Sequence, residues 1–357
     1  MLWQRPLVLH HLCNSFASNS LIQKGISMST LTSPHDLLAA IPFLIGYHPS
    51  NSLVLVSLKD ESVGMAMRVD LPVEVSVESY DLLASHFIRE DADGAFIVAY
   101  LPDGFMEGES VLINASAALM RASIEIKESL IVQGDRFRSM LCADEICCPP
   151  EGSPIPAIDS SRIAAEHVIA GHPMPYACVD DLIGSIAALP SAHDKEWLNE
   201  VNRFWIASDA EEINDLQRDG ATAVIDLAGE YQEGRGSEDR ELTARVIGRM
   251  SDIQVRDFAL GSHSDETSDF YWKMWRDLLL MAPRGFVAPI ASVFAAIAYE
   301  RGEGAMAHKA LDRALADDEK YSLAMLLRRV FTAGWPPQSL TSMRTELHPK
   351  VVAGIFG

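Results

Sequence analysis

TSPHDLLAAIPFLIGYHPSNSLVLVSL, residues 32–58, reads as a capped helix, a turn and a buried strand. Ser33 stands where an N-cap belongs and Pro34 follows at the first helical position, where its missing N–H costs nothing. Asp36 falls three residues after the cap, completing a capping-box pattern at the positive end of the helix dipole. Leu37, Leu38, Ile41 and Ile45 repeat at helical spacing, and Pro42 predicts an end or kink near Ile41. Gly46 supplies the freedom to turn, Pro49 stiffens the loop, and Ser52 leads into LVLVSL, a β-branched strand.

Downstream, VGMAMRVDL (63–71) reads as a second strand after a hairpin turn at KDES, with Pro72 closing it. A helix over 77–89 follows, then the continuously apolar strand 95–101, a helix over 108–121, and strands at 124–133 and 136–141. This β-β-α-β-α-β-β order predicts an α/β domain with a mixed sheet, of two or three layers, over residues 31–150. CCPPEGSPIPA (147–157) has the composition of a boundary.

Beyond it the strand signals vanish, and residues 151–337 read as an all-α domain. Helices are expected at 161–170, 179–189, 194–218, 221–232, 238–249, 253–260 and 269–281. In the third, Trp197, Val201, Phe204 and Trp205 make an apolar stripe, the tryptophans serving as core anchors. Three further helices fill 286–331, and the small-residue spacing of AYERGEGAMAHKALDRALADD is tetratricopeptide-like, covering about one and a half units. Residues 338–357 are expected as a C-terminal tail, and 1–30 as a loose tail lying partly upstream of a start at Met28.

Composition bounds the function. Apolar residues make up 48% and charged residues 22%, an ordinary globular balance. The net charge of −21 is spread evenly: residues 1–154 carry 9 basic and 19 acidic groups, the remainder 20 and 31. Neither part has the basic excess that a phosphate backbone demands, so nucleic acid is not an expected partner. No run of 18 apolar residues is present, so no membrane span is expected. Five cysteines, sparse and odd in number, fit a reducing cytoplasm better than a disulfide framework.

Several blocks carry a resemblance: SPHDLLAAIP (33–42), GYHPSNSLV (46–54), RVDLP (68–72), CCPPEG (147–152) and VRD (255–257). Together, over roughly residues 31–335 and in this order, they resemble a domain-of-unknown-function family common in actinobacteria. The resemblance implies a bacterial origin and one architecture across the match. It supplies no catalytic residues to carry over.

The turn is the best candidate site. Tyr47, His48, Asn51 and Ser52 gather on a loop beside a rigid sheet, and Arg68 and Asp70 alternate onto one face of the next strand. An arginine, a histidine and an aspartate around one crevice suit a small anionic ligand. The plainer reading has Asn51 and Ser52 capping the turn while Arg68 and Asp70 pair at the surface.

Cys142, Cys147 and Cys148 lack the paired knuckles that zinc prefers, so no metal and no cofactor is assigned. Phosphate-loop, dinucleotide, hydrolase-elbow and zinc-protease motifs are absent. The function expected is a cytoplasmic binding or scaffolding protein, with a small anionic ligand at the α/β domain and a protein partner at the helical one. The alternative is an enzyme of unfamiliar type working in a crevice near Arg68, Asp70 and His48.

Overall fold

The computed structural model describes residues 7–9, 29–60, 62–71, 76–155, 157–207 and 211–357. The chain divides into two units, one ending at Leu182 and the other beginning at Ile183. The expected start at Met28, the closing Pro72 and Glu61 of the hairpin turn lie outside the described residues.

The first unit is built on a mixed sheet. Strands β1 (Leu7–Leu9) and β2 (Ser29–Leu31) precede helix α1 (Pro34–Ile45), which leads into the hairpin β3 (Ser52–Lys59) and β4 (Ser62–Asp70). Helix α2 (Val77–Arg89), β5 (Gly94–Leu101), α3 (Gly108–Arg121) and β6 (Glu125–Gln133) follow, then the short strands β7 (Arg136–Ser139) and β8 (Ser153–Pro154). The sheet order is β2-β1-β4-β3-β5-β6-β7-β8. β5 and β6 are parallel, as a crossover through α3 requires, while β3 runs antiparallel to both of its neighbours.

Alternation along the strands makes two buried faces. Leu53, Leu55, Ile97, Ala99 and Ile131 pack with Phe87 of α2 and Leu112 and Leu119 of α3. Val54, Val56, Val98, Tyr100 and Val132 point the other way, towards α1. Helices therefore cover both faces, and the central strands read as unbroken apolar runs for that reason.

Helix α1 begins as the sequence predicts: Ser33 Oγ accepts the Asp36 N–H at 3.2 Å, and Asp36 Oδ2 accepts the Thr32 N–H at 2.8 Å. Its end corrects the sequence reading. Pro42 does not stop the helix, which runs to Ile45 and closes where Gly46, at φ 87°, donates its N–H to Pro42 O at 2.8 Å. Leu38, Ile41, Pro42 and Ile45 are all buried, so packing outweighs the one helical hydrogen bond that proline removes. Helix α4 (Arg162–Ile169) packs on α1, and α5 (Val179–Gly184) spans the division between units, ending well short of residue 189.

The second unit is helical: α6 (Lys195–Asn202), α7 (Ile213–Gln232), α8 (Arg240–Arg249), α9 (Ile253–Gly261), α10 (Ser268–Met281), α11 (Val287–Glu300), α12 (Gly304–Asp317), α13 (Ser322–Thr332) and α14 (Pro337–Phe356). Every residue of α11 from Val287 to Ala298 is buried, as befits a helix apolar on all sides, and α9, α10, α12, α13 and α14 pack around it. Gly302, at φ 81°, allows the reversal into α12.

Three expectations for this unit are corrected by the structure. The helix expected over 194–218 ends after Asn202, and α7 begins only at Ile213; between them Val201 and Phe204 lie against Gly248 of α8, where no Cβ fits. Trp197 stays a core anchor, donating its indole N–H to Met281 O at 2.7 Å, whereas Trp205 falls outside any helix and is 54% exposed. The expected C-terminal tail is instead the 20-residue helix α14, held by Leu340 and Arg344, both buried.

Candidate functional site

The turn between α1 and β3 is fixed by backbone before any side chain acts. The His48 N–H donates to Tyr176 O at 3.0 Å and the Tyr176 N–H to Gly46 O at 2.9 Å, a parallel bridge that ties the turn to the segment after α4. Asn51 adopts φ 46°, the left-handed region that asparagine tolerates, and its carbonyl accepts the Leu71 N–H at 3.1 Å. Asn51 thus serves the turn through its backbone. Ser52 does not cap it: Ser52 is wholly buried and its Oγ has no hydrogen-bond partner.

Strand register then sets the side chains in rows. Ser52 lies opposite Asp70 on β4 and opposite Tyr100 on β5; one step along, Val54 lies opposite Arg68 and Val98. Asp70, Ser52 and Tyr100 therefore share a row on the α1 face, with Arg68 in the row beside it. Arg68 Nη1 meets Asp70 Oδ1 at 2.5 Å, and Nη2 reaches Ser50 O at 3.5 Å. The Asp70 side chain is 91% exposed, so this pair adds little stability. The Arg68 Nε is buried without a partner.

Tyr47 is buried in the same neighbourhood. Burial pushes its phenol above the ordinary range, with Arg68 opposing the shift and Asp70 adding to it. His48 points elsewhere, into a recess of about 180 Å³ lined by Leu38 and Pro42 of α1, Pro49, Tyr100, Val132 and Ile155. Burial raises the Tyr100 phenol far above its usual value, so its hydroxyl stays a donor at any physiological pH. The recess opens at the carboxyl end of the parallel β5–β6 pair, the position that ligands favour in α/β sheets.

The sequence candidates are thus only partly gathered. Arg68 and Asp70 pair with each other, and Tyr47 feels the charge of both; Ser52 lies opposite Asp70; Asn51 is exposed; and His48 and Tyr100 line one recess. Tyr100 escapes a reading of sequence because AFIVAYL looks like one more buried strand, and only the β3–β5 register sets it beside Ser52.

The cysteines of the 142–148 loop are closer than their spacing suggests. The three Sγ atoms of Cys142, Cys147 and Cys148 lie within 4.8 Å of one another. Burial pushes the Cys148 thiol up to about 12, while a hydrogen bond from Cys148 holds Cys142 below the usual thiol range. The VRD block is structural: Arg256 Nη2 donates to Asp257 Oδ1 at 2.6 Å and Nη1 to the Tyr321 hydroxyl at 3.4 Å. No helix among the described residues is long and apolar enough to cross a membrane.

The family model for the domain of unknown function DUF4192 matches residues 34–338, and the chain belongs to that family. No curated protein and no solved structure matches the chain.

Proposed function

We propose that this DUF4192 chain is a non-catalytic binding protein of the cytoplasm, taking a small anionic molecule at the α/β unit and a protein partner at the helical unit. The observation that carries the ligand is the pair of buried, unpartnered polar atoms, Ser52 Oγ and Arg68 Nε, in neighbouring rows of the sheet face that α1 covers, with Tyr100 of the recess opposite Ser52. Leaving such an atom unmet costs about 1–3 kcal/mol, and more for a charged group. A carboxylate or phosphate oxygen is the acceptor that both donors lack, with the Tyr100 hydroxyl as a third donor at the recess wall.

Binding is favoured over catalysis by the same geometry. General acid–base work needs paired groups within hydrogen-bond reach of one reacting atom. Only Nη1 of Arg68 meets Asp70, Asp70 faces solvent, and His48 looks onto a mainly hydrocarbon wall. For the partner, the support is the closely packed α11–α12 pair, whose small-residue spacing in sequence is tetratricopeptide-like, together with the exposed Trp205, Leu326 and Trp335.

The experiment is a thermal-unfolding series with inorganic phosphate and with short dicarboxylates, comparing wild type with Arg68→Gln. Binding to the native state alone raises Tm as ligand concentration rises. At least one of these anions raises the wild-type Tm in a saturable way, and Arg68→Gln loses that rise. An equal rise in both proteins counts against the site; no rise with any anion counts against the reading.

A further inference from the structure

We propose that Cys142, Cys147 and Cys148 form a three-thiolate site for a soft monovalent metal ion of the Cu(I) class. Three sulfur atoms mutually within 4.8 Å can face one ion placed between them. Among the described residues no histidine, aspartate, glutamate or further cysteine joins the group. Of the two carboxylates between the cysteines, Asp144 is engaged, with Oδ1 accepting the Ile146 N–H at 2.9 Å.

This donor set selects the ion. Zinc sites close with four ligands, and a catalytic zinc keeps three protein ligands with nitrogen or oxygen usually among them. Three thiolates with no hard donor suit a soft ion content with three-fold coordination.

The loop is built to hold the sulfurs together. At its start, the Met140 N–H donates to Ser129 O at 2.7 Å and the Leu141 N–H to Ser139 Oγ at 3.1 Å. Ser139 Oγ in turn donates to the buried Glu128 carboxylate at 2.6 Å. In its middle, the Cys148 N–H donates to Asp144 O at 2.7 Å, the bond that folds the Cys147–Cys148 pair back on Cys142. At its end, Gly152 takes φ 81° against Phe137 O, an approach that a Cβ would block, and its carbonyl accepts Arg136 Nη1 at 2.5 Å. Pro149 and Pro150 stiffen the link between. Cys147 is exposed and the other two are half-buried, so an ion can enter from solvent.

The chemistry balances simply. Three Cu–S bonds form as up to three thiol protons leave for solvent, and no electron is transferred.

The test uses the reduced full chain under anaerobic conditions, titrated with Cu(I) held by a coloured competing chelator, with native mass spectrometry for stoichiometry. The wild type withdraws one equivalent of copper. Cys13→Ser and Cys178→Ser keep it, and the triple variant Cys142→Ser/Cys147→Ser/Cys148→Ser loses it, with circular dichroism showing that each remains folded. Should the triple variant fail to fold, iodoacetamide treatment of the folded wild type abolishes uptake instead. Failure of the wild type to withdraw copper, undiminished uptake after loss of the three thiols, or retention of Zn²⁺ where Cu(I) is not retained each overturns the proposal.

Discussion

The Glu300 carboxylate at the end of α11 takes both forks of Arg344 from α14, Nε at 2.9 Å and Nη2 at 3.0 Å, and both side chains are buried. Arg344 Nη1 also donates to His263 O at 2.7 Å, so one guanidinium ties α14 to α11 and to the end of α9. Removing one partner of such a buried pair leaves an uncompensated charge, at a cost of about 3–5 kcal/mol. Arg344→Met is therefore expected to destabilise the protein by about that much in urea unfolding. It should also release amide protection along α14 in hydrogen exchange. A loss below about 1 kcal/mol would mean that apolar contacts, not this pair, hold the helix.

The same cluster sets a pH dependence. His263 Nε2 lies 2.9 Å from Glu300 Oε2, yet burial outweighs that hydrogen bond and lowers the His263 pKa. A histidine depressed in this way contributes its full stability above its ordinary value of 6.5 and loses it as pH falls. Glu300 acts in the same direction at lower pH: burial alone would raise it, but His263 and Arg344 together hold it below the ordinary 4.5. Its contribution is present above 4.5 and lost on further acidification. Tm should fall between pH 7.5 and 5.5, more shallowly in His263→Gln. An identical slope in that variant would show that other buried histidines carry the effect.

Two glycines separate packing from propensity. A Cβ on Gly248 would overlap Val201 O and Phe204, whereas one on Gly229 of α7 would meet nothing within 4 Å. Gly229→Ala should stabilise by roughly 0.5–1 kcal/mol through helix propensity alone. Gly248→Ala should destabilise by about 1–3 kcal/mol through overpacking. Denaturation midpoints of the two variants shifting the same way would refute the close approach of α6 and α8.

These cases also show what residue order reveals. The cap at Ser33 and Asp36, the β3–β4 hairpin and the apolar crossover strands follow from local rules that packing then reinforces. Pro42 inside α1 does not, because its cost is local while the burial that offsets it is tertiary. Residues 338–357 look like a tail since their apolar groups are scattered, and only Glu300 supplies the reason for Arg344 to be buried. The candidate site was legible as a neighbourhood: the turn and β4 are adjacent in sequence as in space. Its floor was not, because the Ser52–Tyr100 row and the meeting of three cysteines depend on register and on the path of a loop.

An anion meeting Ser52 Oγ and Arg68 Nε beneath α1 is tested most directly by a high-resolution crystal structure of the full chain grown with the anion that raises Tm most. Density for that anion is expected on the α1 face of the sheet, with oxygens within about 3.2 Å of both atoms. Ordered water on Ser52 Oγ and Arg68 Nε, with the anion elsewhere on the surface, would contradict it.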